Sequence, residues 1–364
     1  MTRLLSSRGT RWALPGVVAA AVAAAAITTT GGAGASERPN LPARTAAQLL
    51  AAVEQAHPQS LSGTIVETAH LGLPSLPMQD SGGGGVSLQT LLAGSHTVRI
   101  WYDGPERQRL ALLAPLAERD VIHNGNDLWT YTSTTNQVTH TTVGRSGTAA
   151  GSEPPAGSEP LALTPQQAAE QALRAIDPST KVTVDLTARV AGRAAYQLDL
   201  VPRDTRSLVS SVRIAIDAQT SVPLRVQIFG TGTSPSIEVG FTDISFGAPS
   251  PSVFHFVPPS GATVTQGLLS GSSPGEHAGH LPTGDAGQPQ LLGSGWTAVA
   301  RYPLGSGAGG LNSDLLDRAS IKVPAGELIK TSLLSVLVTH NGDVLVGPVS
   351  GADIQRVAAT GHGL

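Results

Sequence analysis

The sequence predicts an α+β protein in which a large antiparallel sheet, dry on one face and wet on the other, is joined by a few helices and a small C-terminal α/β module. Two observations indicate this class. Apolar residues alternate with polar ones through five consecutive segments, which are residues 181–190, 195–201, 208–217, 222–230 and 237–246. Short stretches of turn-forming residues separate these segments. Alternation over this length is typical of a sheet with one buried face, and that face must pack against another layer.

Upstream of these segments, the same signals predict six more strands. They are residues 61–70, 96–102, 107–113, 118–123, 127–132 and 137–143. Two of the turns between them have an identifiable chemistry, Asp-Gly-Pro at 103–105 and Asn-Gly-Asn at 124–126. Glycine and asparagine tolerate the positive φ that tight turns require, so these positions favour hairpins.

Two helices are predicted from the signals at their ends. Residues 44–57 carry a stripe of leucine and valine, with Thr45 as the N-cap and Pro58 as the stop. Residues 164–176 begin with a threonine cap, and Gln167 completes a capping box. A third segment, residues 86–92, carries three leucines and is explained equally well by a short helix and by a loop with buried leucines.

The N-terminus follows the plan of a secretory signal. Three arginines lie within the first eleven residues, residues 12–27 are apolar, and Ala-Gly-Ala at 33–35 fits the small-x-small cleavage pattern. The apolar run is shorter than the ~20 residues of a spanning helix. We therefore predict a signal peptide at residues 1–35 that is cleaved on export, with an uncleaved membrane anchor as the alternative.

Composition limits the chemistry of the mature chain. It has no cysteine, which excludes disulfides, thiolate catalysis and lipid attachment to an N-terminal cysteine. A net charge of −3 with 13% charged residues argues against nucleic-acid binding. The 42 glycines and 26 prolines predict extensive turns and linkers. Residues 144–160 are interpreted as a flexible insertion and residues 264–294 as a Gly/Pro-rich linker.

A small module is predicted to follow the linker, at residues 295–364. Asn341-Gly342 between two apolar runs is a strong hairpin signal. The predicted strands of this module are residues 296–302, 333–340 and 344–346, and its predicted helices are residues 314–318 and 350–359.

Motifs for catalysis are missing from the sequence. It contains no His-Glu-x-x-His metal motif, no Gly-x-Ser-x-Gly elbow and no phosphate loop. His277 and His280 form one compact pair, but they lie in the predicted linker, which would not fix the geometry of a metal site. Asp204, Asp217 and Asp243 fall at strand ends, where turn aspartates are common. We expect no enzyme activity, no metal and no cofactor.

The order of elements and motifs resembles the LolA-like superfamily of lipoprotein carriers. The pattern Asn-Gly-x-x-Leu-Trp-x-Tyr followed by Gln-Val-Thr is matched by Asn-Gly at 124–125, Leu-Trp at 128–129, Tyr131 and Gln-Val-Thr at 137–139. The closing pattern Phe-x-Phe-x-Pro-Pro-x-Gly is matched at 254–261.

This resemblance covers residues 44–265 and implies a lipid-binding domain at residues 36–263. It implies a strongly curved, unclosed antiparallel sheet, a half-barrel, covered by helices, with acyl chains held in the space between. Residues 333–349 look like the ending that is common in secreted actinobacterial members. Relatives include lipoprotein chaperones, glycolipid carriers of the cell envelope, and lipid-sensing regulators of envelope-stress sigma factors.

An apolar cavity needs no polar motif, because each CH₂ of a bound acyl chain contributes about 0.8 kcal/mol on burial. The apolar positions predicted to line it are Leu49, Val53, Ile65, Leu88, Leu92, Val98, Ile100, Leu110, Leu112, Leu173, Val184, Leu186, Leu198, Val212, Ile214 and Leu224. The residues assigned to the cavity rim are Arg99, Trp101, Trp129 and Tyr131. Ordinary core packing, a sheet edge and a solvated surface arginine are the alternatives for these residues.

The sequence therefore predicts an exported, non-enzymatic carrier of the extracytoplasmic envelope. Its expected ligand is a lipid or an acylated lipoprotein, and the expected state is a monomer that binds no nucleic acid. The alternative is a regulator of envelope stress that acts by protein–protein contact with a membrane-protein partner. A purely structural wall protein is a third hypothesis, and it predicts a filled core.

Overall fold

A computed structural model describes residues 39–72, 93–114, 116–142, 164–174, 176, 178–267, 290–303 and 319–364. The chain divides into two units, residues 1–38 and 39–364, and all the described elements belong to the second unit. The predicted signal peptide, the helix or loop at 86–92, the insertion at 144–160 and the helix at 314–318 lie outside the described residues.

The larger sheet has twelve strands. They are β1 Ser60–His70, β2 Ala93–Asp103, β3 Arg107–Ala114, β4 Ala117–Asn124, β5 Asp127–Thr132, β6 Gln137–Thr142, β7 Thr180–Val190, β8 Arg193–Pro202, β9 Ser211–Asp217, β10 Pro223–Phe229, β11 Ile237–Ser245 and β12 Thr263–Gly267. Their order is β12-β6-β5-β4-β3-β2-β1-β11-β10-β9-β8-β7. All pairs are antiparallel except β12 with β6. The sheet is curved and ends on β12 and β7, so the predicted unclosed α+β fold is confirmed.

Irregularities in three strand pairs accompany the curvature. The register shifts between Thr64 and Ile65 in the β1–β11 pair, between Pro223 and Arg225 in the β9–β10 pair, and between Val184 and Thr187 in the β7–β8 pair. A bulge bends its strand and increases the local twist. These shifts all fall on the β7–β11 and β1 side of the sheet, which is where the helices pack.

Two capped helices cover this side of the sheet. Helix α1, Ala46–Glu54, begins with a capping box in which the Thr45 hydroxyl accepts from the Gln48 amide and the Gln48 side chain accepts from the Thr45 amide. Helix α2, Pro165–Arg174, begins with the same reciprocal pair between Thr164 and Gln167. Both predicted caps are confirmed, and each satisfies amides that have no partner inside the helix.

We call the sheet face that meets these helices the inner face. The strand register places Val184, Leu198, Ile214, Val226 and Val239 in one row across β7–β11 on this face. Helices α1 and α2 close this row with apolar side chains that include the fully buried Leu49 and Ala169. The main core of the protein therefore lies between the inner face and two short helices.

A second core continues along the inner face into β1–β3. Ile65 lies opposite Phe241 on one side and Val98 on the other, and Val98 lies opposite Leu112. Leu224 joins the same cluster and is fully buried. The first row ends at Val239, which lies opposite Glu67, and the apolar surface continues to β3 through the neighbouring row that contains Ile65.

In β4–β6, buried apolar side chains lie on the other face of the sheet. The opposite face, which we call the outer face, buries Ile122 and Val138 there. A 3₁₀ helix at Pro251–Phe254 packs against β3 and β4, and Phe254 is 1% exposed. Residues 251–261, named the strap here, cross the outer face and lead into β12. The sequence pattern that was expected to close the sheet therefore forms a cover over it.

The C-terminal module is a six-stranded sheet with one helix. Its strands, in the order β13-β14-β18-β17-β16-β15, are β13 Gln290–Leu292, β14 Val299–Pro303, β15 Ser320–Val323, β16 Gly326–Lys330, β17 Ser335–Thr339 and β18 Asp343–Gly347. Helix α3, Gly351–Thr360, is capped by Ser350 and covers β17 and β18. The predicted Asn341-Gly342 hairpin is confirmed, with Gly342 at φ 86°.

This module is bonded to the larger sheet. The Leu208 amide donates to the Pro348 carbonyl at 2.7 Å, and the Ser332 amide donates to the Leu71 carbonyl at 2.9 Å. The Trp296 indole N–H donates to the Thr180 hydroxyl at 2.7 Å. Leu333, at 5% exposed, packs within the main core. The two sheets therefore share a core.

Three differences from the predicted elements have physical causes. Strand β9 begins at residue 211 rather than 208, because residues 207 and 208 pair with the C-terminal module instead. Strand β12 occupies the first residues of the predicted linker, and its pairing with β6 depends on the strap rather than on apolar alternation. Strands β15 and β16 are additional elements, and charged residues in both obscure their pattern. Among the described helices, none combines the length and the hydropathy needed to cross a membrane.

Candidate functional site

The predicted cavity residues of the helices and of β7–β10 come together in the main core. Leu49, Val53, Leu198, Val212 and Ile214 are between 0 and 3% exposed. Leu173 and Val184 are half-buried against the same cluster. Leu88 and Leu92 lie outside the described residues, as does the side chain of Leu186. Where α1 and α2 cover the inner face, the protein's own side chains fill the space.

The remaining predicted cavity residues belong to the second core. Ile65, Val98, Leu112 and Leu224 are buried, whereas Ile100 and Leu110 are only half-buried against them. Helix α1 makes its main strand contacts with β7, and helix α2 makes its main strand contacts with β10 and β11. Ile100 and Leu110, on the inner face of β2 and β3, lie beyond these strands.

Polarity changes along the inner face beyond β3. Val121 lies opposite Leu110, and Thr130 follows it on β5. Thr139 lies opposite Thr130, and Thr265 of β12 lies opposite Thr139. Along this row the inner face is thus apolar from β2 to β4 and lined by hydroxyl groups from β5 to β12.

Two surface depressions lie away from these residues. One, of about 490 Å³, lies at the turns formed by residues 103–107 and 124–125. The other, of about 460 Å³, lies between the end of α1 and the β9–β10 turn. Neither is lined by any of the predicted cavity residues.

The four predicted rim residues lie together on the outer face. Trp101 is opposite Arg109, and Arg109 is opposite Ile122. Ile122 is in turn opposite Trp129. Arg99 and Arg109 each hold a guanidinium 5.3 Å from the centre of the Trp101 ring, a distance at which cation–π attraction operates. These side chains are separated from the predicted cavity by the thickness of the sheet.

The strap adds aromatic contacts to this group. Trp129 stacks on His140 with ring centres 3.9 Å apart, and His140 pairs with Asp127 at 2.7 Å. Phe256 of the strap lies 5.5 Å from Trp129 and 6.0 Å from Tyr131, centre to centre. Trp129 therefore contacts a ring of β6 and a ring of the strap, and Trp129 and Tyr131 form a packing surface for Phe256.

A buried ion pair lies beneath the strap. Arg109 Nη2 donates to Asp120 Oδ2 at 2.5 Å, with side-chain exposures of 25% and 3%. Oδ1 of Asp120 accepts no hydrogen bond from the part of the chain that the structure describes. Burial raises the pKa of Asp120 from 3.8 to about 6; Arg109 opposes the rise and Glu118 adds to it. This carboxyl therefore titrates near neutral pH.

A second ion pair of the same kind lies at the β9–β10 turn. Arg193 Nε donates to Asp217 Oδ2 at 2.6 Å, with exposures of 26% and 1%. Oδ1 of Asp217 also accepts from the Gln219 amide and from the amide and hydroxyl of Thr220. Burial alone would raise the pKa of Asp217, but the hydrogen bonds from Arg193, Thr220 and Gln219 hold it below its ordinary value. The predicted role of Asp217 as a turn residue is confirmed.

The strap and Asp120 were not identified as features from the sequence. A signal for Asp120 was present, because it lies two residues before Ile122 and therefore falls on the same face of β4 as that fully buried side chain. Within the described ranges, no group of three or more histidine, aspartate or glutamate side chains is arranged to hold a metal ion. The described groups can bury an apolar surface, carry charge and titrate.

Comparisons with known proteins agree with this architecture. Residues 89–254 match the sequence model of the family described as the MucB/RseB N-terminal domain. No match was found among curated proteins. With the fold described above, the family match confirms the predicted resemblance to LolA-like proteins at the level of fold.

Three solved structures with low sequence identity and low TM-scores match parts of this chain. The MucA/MucB complex of Pseudomonas aeruginosa contains a chain that is 18% identical, with a TM-score of 0.41, covering 85% of this chain and 96% of that one. A LolA superfamily protein from Nitrosomonas europaea is 12% identical, with a TM-score of 0.21, covering 59% and 99%. A putative outer membrane lipoprotein-sorting protein domain from Vibrio parahaemolyticus is 11% identical, with a TM-score of 0.22, covering 57% and 94%.

Proposed function

We propose that this chain is an extracytoplasmic, non-enzymatic binding protein that acts by holding a partner protein. One observation carries the choice: the inner face under α1 and α2 is filled by the chain's own side chains, with Leu49, Leu198 and Ile214 fully buried. A carrier that relies on this region would need open volume there. A regulator that acts through protein contact needs no such volume.

The family match supports the same choice. The matching model describes the MucB/RseB N-terminal domain, and MucB of P. aeruginosa forms a complex with MucA. The C-terminal module also supports it, because the shared core makes the two sheets one platform. On the face of its sheet opposite α3, Tyr302, Val344 and Val338 lie in one row.

Photo-crosslinking in intact cells tests the proposal. One full-length variant carries a photo-crosslinking residue at Tyr302, which is 40% exposed on the C-terminal sheet, and its matched control carries it at Thr183 of β7. We expect the Tyr302 position to capture one membrane protein in high yield and the Thr183 position to capture little. Equal background labelling at both positions would contradict a partner on the C-terminal sheet, and no crosslinked protein from any exposed position would refute the proposed function.

A lipid carrier is the second candidate, favoured by a different observation. Ile100, Leu110 and Val121 keep half-buried apolar surface on the inner face, beyond the described helices. An acyl tail on this surface would gain about 0.8 kcal/mol for each CH₂ it buries. Mass spectrometry of organic extracts from protein purified without detergent tests this. A stoichiometric acyl species that is lost in Leu110→Glu would establish carriage, and an empty extract would exclude it.

A further inference from the structure

The strap is attached to the sheet through one guanidinium. Arg109 Nη1 donates to the Val253 carbonyl of the strap at 3.2 Å, while Nη2 of the same side chain donates to Asp120 at 2.5 Å. Phe254, the next residue of the strap, is 1% exposed. Movement of the strap away from the sheet therefore breaks the Val253 contact and frees the guanidinium that also holds Asp120.

The strap also positions the edge strand β12. The Thr263 amide, at the start of β12, donates to the Asn136 carbonyl at 3.0 Å. Beneath the strap, Ile122 and Val138 are 0% and 1% exposed. Lifting the strap would therefore expose an apolar area of the outer face and loosen β12.

Few charged or titratable groups face the Asp120 carboxyl. Arg109 reaches it from β3, Glu118 lies on the same face of its own strand, and Tyr131 lies directly opposite it on β5. Further groups on this face or on the strap are Arg99 of β2, His140 of β6 and His255. The carboxyl is thus enclosed by one strong cation, a second acid, a phenol and the strap itself.

We propose that residues 251–261 form a pH-gated cover, which is closed over the outer face when the Asp120 carboxyl is neutral and loosened when that carboxyl is ionised. The carboxyl is 3% exposed on β4, which the 3₁₀ helix of the strap contacts, and its Oδ1 accepts no hydrogen bond from the described residues. An ionised carboxylate is costly in such a site unless its oxygens are satisfied. Opening returns the carboxylate to water.

The effect of pH on the strap follows from the linkage between proton binding and closure. The pKa of Asp120 is raised from 3.8 to about 6 with the strap in place, so protons bind more tightly to the closed form. The closed form is favoured at low pH. Between these two values, each rise of one pH unit lowers the ratio of closed to open strap by up to about tenfold. Over the whole interval from 3.8 to about 6, the closed-to-open ratio falls by about 100-fold.

Hydrogen exchange measured by mass spectrometry on the full chain tests the cover. Protection factors, corrected for the pH dependence of intrinsic exchange, are followed from pH 4 to pH 7.5 for peptides spanning residues 251–267. We expect the wild-type protection of the strap to fall by about 100-fold over this range. Asp120→Asn keeps an uncharged side chain of the same shape, so its strap should remain fully protected throughout.

The variants separate this cover from a simple salt bridge. If the ion pair with Arg109 held the strap closed, Asp120→Asn would lower the protection at pH 7.5, and that result would overturn the proposal. A flat wild-type profile would also overturn the proposal.

Matched controls address other titrating groups. Asp217→Asn alters the second buried pair and should leave the strap profile unchanged. His140→Gln and His255→Gln should preserve the wild-type transition, and its loss in either variant would assign the effect to an imidazole instead. If Asp120→Asn fails to fold, a pH titration of the carboxyl ¹³C resonance of Asp120 in the wild type replaces it. A midpoint near 6 supports the proposal, and a midpoint near 3.8 overturns it.

Discussion

The buried pairs Arg109–Asp120 and Arg193–Asp217 have almost the same composition and exposure but opposite electrostatics. Their aspartates are 3% and 1% exposed, and their arginines are 25% and 26% exposed. The pKa of Asp120 is nevertheless raised and that of Asp217 is lowered. The difference lies in the second carboxylate oxygen, which accepts three hydrogen bonds from a turn in Asp217 and none from the described residues in Asp120. Arg193 also contacts both oxygens of Asp217, whereas Arg109 contacts only one oxygen of Asp120. The two-point contact from Arg193 and the donors of the turn together keep Asp217 ionised.

The largest expected effect comes from removing the well-satisfied carboxylate. Asp217→Ala leaves the Arg193 guanidinium without its partner and removes the acceptor that organises the β9–β10 turn. We expect a loss of about 3 kcal/mol in the free energy of unfolding, measured in urea at pH 7. A loss below about 1 kcal/mol would mean that the turn, rather than the carboxylate, holds this end of the sheet.

An effect of similar size and opposite sign is expected at the other pair. Because the folded pKa of Asp120 is raised to about 6, its contribution to stability is fully present below pH 3.8 and is lost as pH rises through about 6. Asp120→Asn should therefore be more stable than the wild type at pH 7.5, by about 3 kcal/mol, and equally stable at pH 3.5. Thermal unfolding at the two pH values measures the difference, and a variant that is less stable at pH 7.5 would contradict the contrast between the two pairs.

Removing one donor should make Asp217 behave more like Asp120. In Thr220→Val the hydroxyl hydrogen bond to Oδ1, 2.9 Å long, is lost while the amide remains. The pKa of Asp217 should rise from its lowered value, and stability should fall by about 1 kcal/mol. A carboxyl ¹³C titration follows the pKa, with Thr187→Val as a control for the loss of a threonine hydroxyl on another strand.

The smallest effect is expected at Glu118. Its charge adds to the raised pKa of Asp120, although burial is the larger cause. Glu118→Gln should lower the pKa of Asp120 by a fraction of a unit and move the transition of the strap by the same amount. No movement in either titration would show that Glu118 does not act on this carboxyl.

The strands were predictable because alternation and turn chemistry are local properties. The helices were predictable as well, since Thr45 and Thr164 begin capping boxes that the sequence displays directly. Alternation shows which residues share a face of the sheet, but it does not show which layer covers that face. Val121 and Ile122 are neighbours on an alternating strand, yet one faces hydroxyl groups on β5 and the other is buried on the strap side of the sheet.

The candidate site was predictable only in part for the same reason. Strand parity correctly separated Arg99 from Val98, but nothing local indicated that a segment far along the chain would cover the outer face of β3 and β4. The contact between Arg109 and Val253 spans 144 positions in the chain. Such long-range contacts depend on the assembled topology and leave little trace in sequence periodicity.

Leu333 has a consequence for biosynthesis. This side chain completes a core whose other buried members lie between Leu49 and Val226, and it is added from the last tenth of the chain. A growing chain therefore cannot finish the core of its first sheet until nearly all of it has emerged. Prematurely terminated chains would leave Leu198 and its neighbours insufficiently packed, so proteases could distinguish unfinished molecules from complete ones.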